Sequence, residues 1–353
     1  YILALLVFRR RHAVNSALYM LRQQWPLCGT LFLMAASVAI SSSSGKVLTN
    51  VAHSMGVLAV VVAAVGGFCR SPRRFATSVS HALTANLIVH AVVIFTNPAV
   101  GIAYDGRWKG LASHSNTLGG IAYCCLWAAL ASWLLSPGKR KVFALEGSIA
   151  LILLLGSDSV TSIVAASVAV LLLFVLRPLS TKRARMLTWG MVAVLVSAIG
   201  FVWLQGESPL QMASLAGRSS DISGRVGIWT EAVRLINERP LLGWGFDDNA
   251  GVILQTGMPH FNYHNGYLDL LVRGGMVALV LLFLAMVRFD ATVRAAHSRE
   301  WGALALAFVA SSLVYNIAEV TFHTPRNAAW ILLLCCLLGP IGYRWHVKRR
   351  YSV

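Results

Sequence analysis

Two arginines in one polar stretch of the sequence have the side-chain chemistry needed to hold a phosphate or a carboxylate. Arg218 and Arg225 lie seven residues apart, and Arg225 lies four residues before Trp229, on the same face of a predicted helix. Arginine donates two N–H groups at once to such oxygens, so the pair is suited to a diphosphate at a membrane surface. Two solvated loop arginines are the alternative interpretation.

His264 is the candidate proton acceptor, because it lies where the same polar stretch enters a long apolar run. A helix N-terminus disfavours the imidazolium form, so we expect a neutral histidine that can accept a proton. Taken alone, the residue favours a simpler interpretation, an interfacial histidine that caps its helix. Placing a charged Glu319 side chain at the bilayer centre would cost about 2.5–3.5 kcal/mol of insertion free energy. We therefore expect Glu319 to face a wet cavity or an arginine.

Two further patterns resemble metal sites but predict none. His260 and His264 have the i, i+4 spacing of a zinc pair, yet Phe261 stands where a metalloprotease helix has glutamate. The Asp-Asp-Asn run at 247–249 suits a divalent cation, although its position after two glycines favours a solvated turn. All six cysteines lie in or beside apolar runs, which favours small core residues. We therefore expect no metal and no cofactor.

The elements that must position these residues are transmembrane helices. Of the 353 residues, 57% are hydrophobic and only 12% are charged, whereas a soluble domain is about 25% charged. Runs near 20 apolar residues can span a bilayer. Ten such stretches follow a partial one at the start, which we interpret as the end of a truncated helix and not as a signal peptide. They are 26–42, 51–68, 75–95, 117–136, 142–155, 160–176, 187–204, 265–287, 301–322 and 328–343.

We therefore predict an all-α polytopic membrane protein, with residues 1–353 forming one integral membrane domain. The charge pattern supports this fold class. Of the 30 Lys and Arg residues, 21 lie in alternate connections between the stretches, together with only three of the 13 acidic residues. An excess of Lys and Arg marks the cytoplasmic face, so the opposite face is nearly neutral despite a net charge of +17. Nucleic-acid binding, the usual implication of such a charge, loses its support.

One outer connection, 205–264, is a polar loop of 60 residues that contains its own helix. Long loops of this kind usually carry function. Within 222–239, apolar residues recur at helical spacing, after Ser223 as N-cap and before Pro240 as a stop. We predict an amphipathic helix at the outer interface. Its apolar face is Val226, Trp229, Ala232, Val233 and Ile236.

Three ordered blocks of sequence resemble the O-antigen ligase and polymerase superfamily. They are Gly217-Arg218-Ser-Ser-Asp-Ile-Ser-Gly224-Arg225-Val-Gly-Ile-Trp229, Pro240-Leu-Leu-Gly-Trp-Gly245 and His264-Asn265-Gly-Tyr-Leu-Asp-Leu-Leu-Val-Arg-Gly-Gly275. The segment 106–119 is similar to one found in exopolysaccharide polymerases of this group. The resemblance implies a GT-C-like multi-pass protein of the bacterial inner membrane, with an active site that faces the periplasm.

By the same resemblance, the enzyme is an inverting glycosyltransferase. It moves an oligosaccharide from a polyprenyl-diphosphate donor to a hydroxyl of a glycan or lipid A core acceptor, without a metal or a nucleotide sugar. His264 would be the general base, and Arg225 would bind the diphosphate. Asn265 and Trp229 would take the family's adjacent polar and hydrophobic positions. Membrane lipids and a chain-length regulator protein are the implied partners, and nucleic acid is not.

The sequence departs from the family pattern in two places. Ala278 ends a G-x-x-G-like pattern, and no arginine lies near Val160, where the family often has a second one. The second phosphate contact then comes from Arg218, or from Arg107 or Lys109.

Three questions of function stay open. Segment 106–119 slightly favours a polymerase over a ligase. A transporter or flippase of lipid-linked glycans is the alternative class, but such proteins place broken helices and charges near mid-membrane. A structural subunit without activity would leave Arg218, Arg225 and His264 without a shared purpose.

Overall fold

The computed structural model describes residues 11–41, 43–68, 71–204, 219–246, 263–296 and 298–350. Within these ranges the chain forms thirteen α-helices and two short 3-10 turns, and the only β-type pairing is one bridge between Ile102 and Trp108. The all-α prediction is confirmed. The helices are α1 Arg11–Gln23, α2 Trp25–Ala36, α3 Ser44–Phe68, α4 Pro72–Thr96, α5 Pro98–Gly101, α6 Ser115–Leu135, α7 Arg140–Gly156, α8 Val160–Leu176, α9 Thr181–Leu204, α10 Ser219–Glu238, α11 Gly266–Ala296, α12 Arg299–Tyr315 and α13 Ala328–Arg350.

Within the described residues, five helical segments are long and apolar enough to cross a membrane, and two shorter apolar helices accompany them. This supports a polytopic membrane protein, whereas the number of ten complete spans stays a prediction. The five are Ser44–Gly66, Pro72–Thr96, Ser115–Leu135, Gly266–Ala296 and Ala328–Val347, and the shorter two are Trp25–Ala39 and Val160–Leu176.

Helices α6 and α12 form the centre of the bundle. Both are buried around most of their circumference, which is expected of a helix with no lipid-facing side. Tyr123 of α6 stacks on Phe308 and on Tyr315 of α12, with ring centroids 5.5 and 5.6 Å apart. Its hydroxyl is 2.6 Å from that of Ser311, so the buried polar groups satisfy one another.

The structure corrects two boundaries. The connection predicted at 9–24 is largely the helix α1, since Ser16, Ala17 and Met20 recur at helical spacing and are buried. The stretch predicted at 301–322 remains helical only to Tyr315, so Glu319 lies beyond the end of α12 and not within a span.

The helix predicted in the long loop exists as α10, but it begins at Ser219, so Ser223 lies within it and is not its N-cap. Of the predicted apolar face, Ala232 is buried and Ile236 is partly buried, together with Ile228 and Leu235. Val233 of the same predicted face is exposed. The side chain of Val226 and residues 205–218 lie outside the described part of the chain.

Candidate active site

The helix that follows His264 is interrupted, and the second sequence block fills the interruption. Within α11, Gly275 has φ 61° and ψ −162°, which breaks the helical hydrogen bonding. The carbonyls freed on the first half accept from the 240–246 turn. Trp244 N–H donates to the Val272 carbonyl at 2.8 Å, and Gly245 N–H donates to the Arg273 carbonyl at 2.9 Å. The end of this half-helix therefore keeps its hydrogen bonds.

The second half of α11 is satisfied by the same turn. Its first free N–H groups, from Met276 and Val277, donate to the carbonyls of Pro240 and Leu241 at 2.8 and 3.2 Å. A side chain at Gly275 would overlap the Leu241 carbonyl, so this approach requires glycine. The second sequence block thus docks into the break of the third.

Two more contacts of the turn fix its position. A Cβ atom on Gly243 would lie 2.5 Å from the Val272 carbonyl oxygen, so this glycine also permits the docking. Trp244 donates its indole N–H to the Leu235 carbonyl of α10 at 3.0 Å, and the Arg239 guanidinium lies 4.1 Å from the Trp244 ring centroid. Helix α10, the turn and α11 are therefore held together as one structural unit.

His264 and Asn265 lie immediately before α11. His264 is half-buried and has a left-handed backbone, with φ 46°. The side chain of Asn265 caps the helix, since its Oδ1 accepts from Tyr267 N–H at 3.0 Å and from Leu268 N–H at 3.1 Å. The capping function considered for His264 thus belongs to Asn265, whose Oδ1 is occupied by the helix. A substrate contact of Asn265 stays a prediction.

Trp229 connects the arginine-bearing helix to the residue before His264. Its indole N–H donates to the Tyr263 carbonyl at 2.9 Å. Arg225 lies four residues earlier on α10, about 6 Å along the axis at 1.5 Å per residue. Burial raises the pKa of the Tyr263 phenol, so this hydroxyl stays protonated beside His264. The side chain of Arg225 and all of Arg218 lie outside the described residues, as do His260 and 247–249.

Arg107, Asn116 and Glu319 form a second polar group. Arg107 Nη2 donates to Asn116 Oδ1 at 2.6 Å, and Asn116 Nδ2 donates to Glu319 Oε1 at 2.6 Å. The Asn116 amide thus connects Glu319 to an arginine. Lys109 is half-buried, and its backbone N–H donates to the Gly101 carbonyl at 2.9 Å.

The Arg107 guanidinium also lies against the corner between α7 and α8, where the family arginine is missing from the sequence. Its Nε donates to the Ser157 carbonyl at 3.0 Å, and the adjacent Trp108 N–H donates to the Gly156 carbonyl at 2.9 Å. These carbonyls lie at the C-terminal end of α7, where a cation interacts favourably with the helix dipole. Arg107 therefore brings a guanidinium to the 157–161 corner from another loop.

The connection 316–327 lies between the residues around His264 and the group of Arg107, Asn116 and Glu319. Asn316 accepts from Gly266 N–H at 2.7 Å through its carbonyl oxygen, which attaches it directly beside Asn265. Three residues later, Glu319 accepts from Asn116. One short segment thus contacts both the start of α11 and the Arg107 group.

The same connection supplies His323, which sequence reasoning missed. Its Nε2 lies 3.2 Å from Asp269 Oδ2, and Arg273 Nε donates to that same oxygen at 2.7 Å. Asp269 is fully buried, and less than a tenth of the other two side chains is exposed. The i, i+4 spacing of Asp269 and Arg273 is a signal visible in the sequence, whereas the contact with His323 is not. Among the described residues, no group of three or more His, Cys, Asp and Glu side chains could hold a metal.

Comparison with known proteins finds similarity to one family over the region that carries this site. Residues 147–283, which include α10, the 240–246 turn and His264, match the model of the family described as O-antigen ligase. An O-antigen ligase of Pseudomonas aeruginosa strain PAO1 is 41% identical over 59 residues, which are 17% of this chain and 15% of that protein. Both similarities support the O-antigen ligase/polymerase superfamily for the matched part of the chain.

The superfamily match covers both blocks that dock at the break of α11. Together with the apolar helices, it indicates an integral membrane protein and supports a membrane enzyme that acts on glycans. The aligned region spans about a sixth of the Pseudomonas ligase, so activity, substrates and partners are inferences about this chain.

Proposed function

We propose that this protein is an inverting glycosyltransferase of the bacterial inner membrane. It transfers an oligosaccharide from a polyprenyl-diphosphate donor to an acceptor hydroxyl on the periplasmic face. The observation that carries the proposal is the hydrogen bond from Trp229 to the Tyr263 carbonyl, which attaches the Arg225 helix to the residue before His264. This contact supports a base and a diphosphate-binding arginine in one site.

In the proposed reaction, His264 accepts the proton of the acceptor hydroxyl, whose oxygen forms a bond to the anomeric carbon. The bond from that carbon to the diphosphate oxygen breaks, and polyprenyl diphosphate leaves as an anion. Arg225 stabilises the negative charge that develops on the leaving group. A single displacement inverts the anomeric configuration, and the proton on His264 then passes to the departing diphosphate or to water.

Arg107 is our candidate for the second phosphate contact. Its guanidinium is held by the Ser157 carbonyl and by Asn116, which leaves further N–H groups of its fork for a ligand. The arginine that the family often has near Val160 would be attached at this same corner between α7 and α8. Arg218, Lys109, Asn265 and Glu319 remain predicted substrate contacts.

The decisive test is turnover with a defined polyprenyl-diphosphate oligosaccharide and the His264→Asn variant. Asparagine tolerates a left-handed backbone better than alanine, so this change removes the base while relieving little or no strain. We expect kcat to fall about 10²–10⁴-fold with an unchanged thermal midpoint. Turnover equal to wild type in a folded His264→Asn protein would exclude His264 as the base.

Product analysis in the same assay separates the two activities. A polymerase, which we slightly favour from segment 106–119, extends the glycan on the donor lipid. A ligase transfers the glycan to an added lipid A core acceptor. Partners such as a chain-length regulator would change product length only in the first case.

A transporter or flippase of lipid-linked glycans is the second candidate, and the broken helix α11 is the observation that favours it. In transporters, however, the freed backbone groups at such a break bind the substrate or ions. Here four of these groups bind the 240–246 turn. Movement of intact donor across vesicles without any glycan product would support the transporter instead.

A further inference from the structure

A pocket opens at the same end of the bundle as His264. Its volume is about 280 Å³. One wall is the first part of α3, and the other is the connection before α13. The lining residues are Gly45, Lys46, Thr49, Asn50, His53, Thr324, Pro325 and Arg326.

The lining of this pocket is cationic. Lys46 and Arg326 are exposed and line opposite walls of the pocket. His53, on the same wall as Lys46, adds a third side chain with nitrogen donors. Across the described part of the chain, neither Lys46 nor Arg326 takes part in an ion pair. Thr49 and Thr324 add hydroxyl groups, and none of the lining side chains described is a carboxylate. Such a set of donors fits a phosphate.

The pocket shares a wall with the candidate active site. Asn50, which lines it, donates from Nδ2 to the Phe246 carbonyl at 3.1 Å. The Phe246 ring meets His323 edge to face at 5.2 Å, and Thr324, the next residue, lines the pocket. The turn that docks into α11 therefore separates the pocket from the buried Asp269 cluster.

The pocket lies at one end of a candidate membrane span. Lys46 is in the first turn of α3, and the segment Ser44–Gly66 is long and apolar enough to cross a membrane. Cationic side chains at the end of such a span meet lipid headgroups. This position favours a phosphate carried by a lipid over a free anion.

We propose that this pocket binds the phosphate of a lipid headgroup, next to but separate from the reacting centre. Lys46 and Arg326 contact the phosphate from two walls. The proposal deepens the proposed function by giving the site a second lipid, but it concerns binding and does not depend on turnover.

The test is a titration of the detergent-solubilised full chain with dioctanoyl phosphatidic acid, with bound lipid counted by native mass spectrometry. We expect one saturable site in the wild type and at least a tenfold higher Kd for Lys46→Gln/Arg326→Gln. The control is Lys141→Gln/Arg299→Gln, which removes two exposed charges from the other end of the bundle and should keep the Kd within twofold. Equal affinity of the pocket variant and wild type would overturn the proposal.

Three further arms sharpen the result. Arg326→Lys keeps the charge and should stay within about threefold of wild type, which separates lost binding from lost folding. Inorganic phosphate should compete only at far higher concentration, and competition at equal concentration would overturn the assignment to a lipid. His264→Asn should bind the lipid normally while inactive, so failure of the proposed function is distinguishable from failure of this one.

Discussion

Two connections at one end of the bundle each hold a histidine with a left-handed backbone, and the two histidines differ in their surroundings. His264 precedes α11 with φ 46°, and His323 lies between α12 and α13 with φ 56°. His264 is half-buried immediately before the first turn of α11. His323 is 9% exposed and lies 3.2 Å from the carboxylate of Asp269.

The comparison teaches that residue type and backbone geometry alone do not distinguish a catalytic histidine from a structural one. A buried histidine next to a carboxylate and packed on Phe246 contributes to the stability of the fold. His264 is less buried, and the cap of its helix is the neighbouring Asn265. Under the proposed function, we expect mutations near His323 to affect stability and mutations at His264 to affect turnover.

The largest expected effect on stability is that of Asp269→Asn, which leaves the buried Arg273 without its charge partner. Breaking one side of a buried pair typically costs about 3–5 kcal/mol. We expect a clearly lower midpoint of thermal unfolding in detergent, whereas His264→Asn leaves the midpoint unchanged. Glu300→Gln, at an exposed carboxylate in the first turn of α12, is the control. Equal midpoints for Asp269→Asn and His264→Asn would remove the distinction between the two regions.

An intermediate effect is expected for Gly275→Ala, which tests whether the docked turn positions the half-helix after His264. The positive φ alone costs about 1–3 kcal/mol, and the added methyl overlaps the Leu241 carbonyl. Both the unfolding midpoint and turnover should fall.

Gly227→Ala in α10 is the matched control for that change, since a Cβ atom there meets nothing within 4 Å. Alanine in a helix interior should stabilise by about 0.5–1 kcal/mol. If Gly275→Ala behaved like Gly227→Ala, the turn would not constrain the site.

The smallest expected effect is that of Asn116→Ala, which cuts the link from Glu319 to Arg107. Loss of a hydrogen bond worth about 0.5–1.5 kcal/mol should raise the KM for the donor about 2–10-fold, with little change in kcat. Donor titration under steady-state conditions measures both constants. A fall in kcat with constant KM would instead connect the 316–327 segment to the chemical step. The His323 region would then affect turnover as well as stability, against the proposed difference between the two histidines.

Much of this architecture was predictable because hydrophobic periodicity and loop charge are local signals. The apolar runs predicted the helices, and the apolar spacing within 222–239 predicted α10, although the helix begins at Ser219 and not after Ser223. Its predicted apolar face is only partly buried, since Val233 is exposed. Which stripe of a helix is buried depends on the partner helix, here α11, and the sequence of α10 does not contain that partner.

The chain by itself determined the family blocks, the candidate base His264 and the absence of an arginine near Val160. Only the tertiary structure decided that Arg107 lies at that corner, that Asn265 is the helix cap, and that His323 pairs with Asp269. It also brought Lys46 and Arg326 to one pocket from positions 280 residues apart. The physical reason is that charge and hydrogen-bond contacts act over a few ångströms in space, while sequence motifs report only neighbours along the chain.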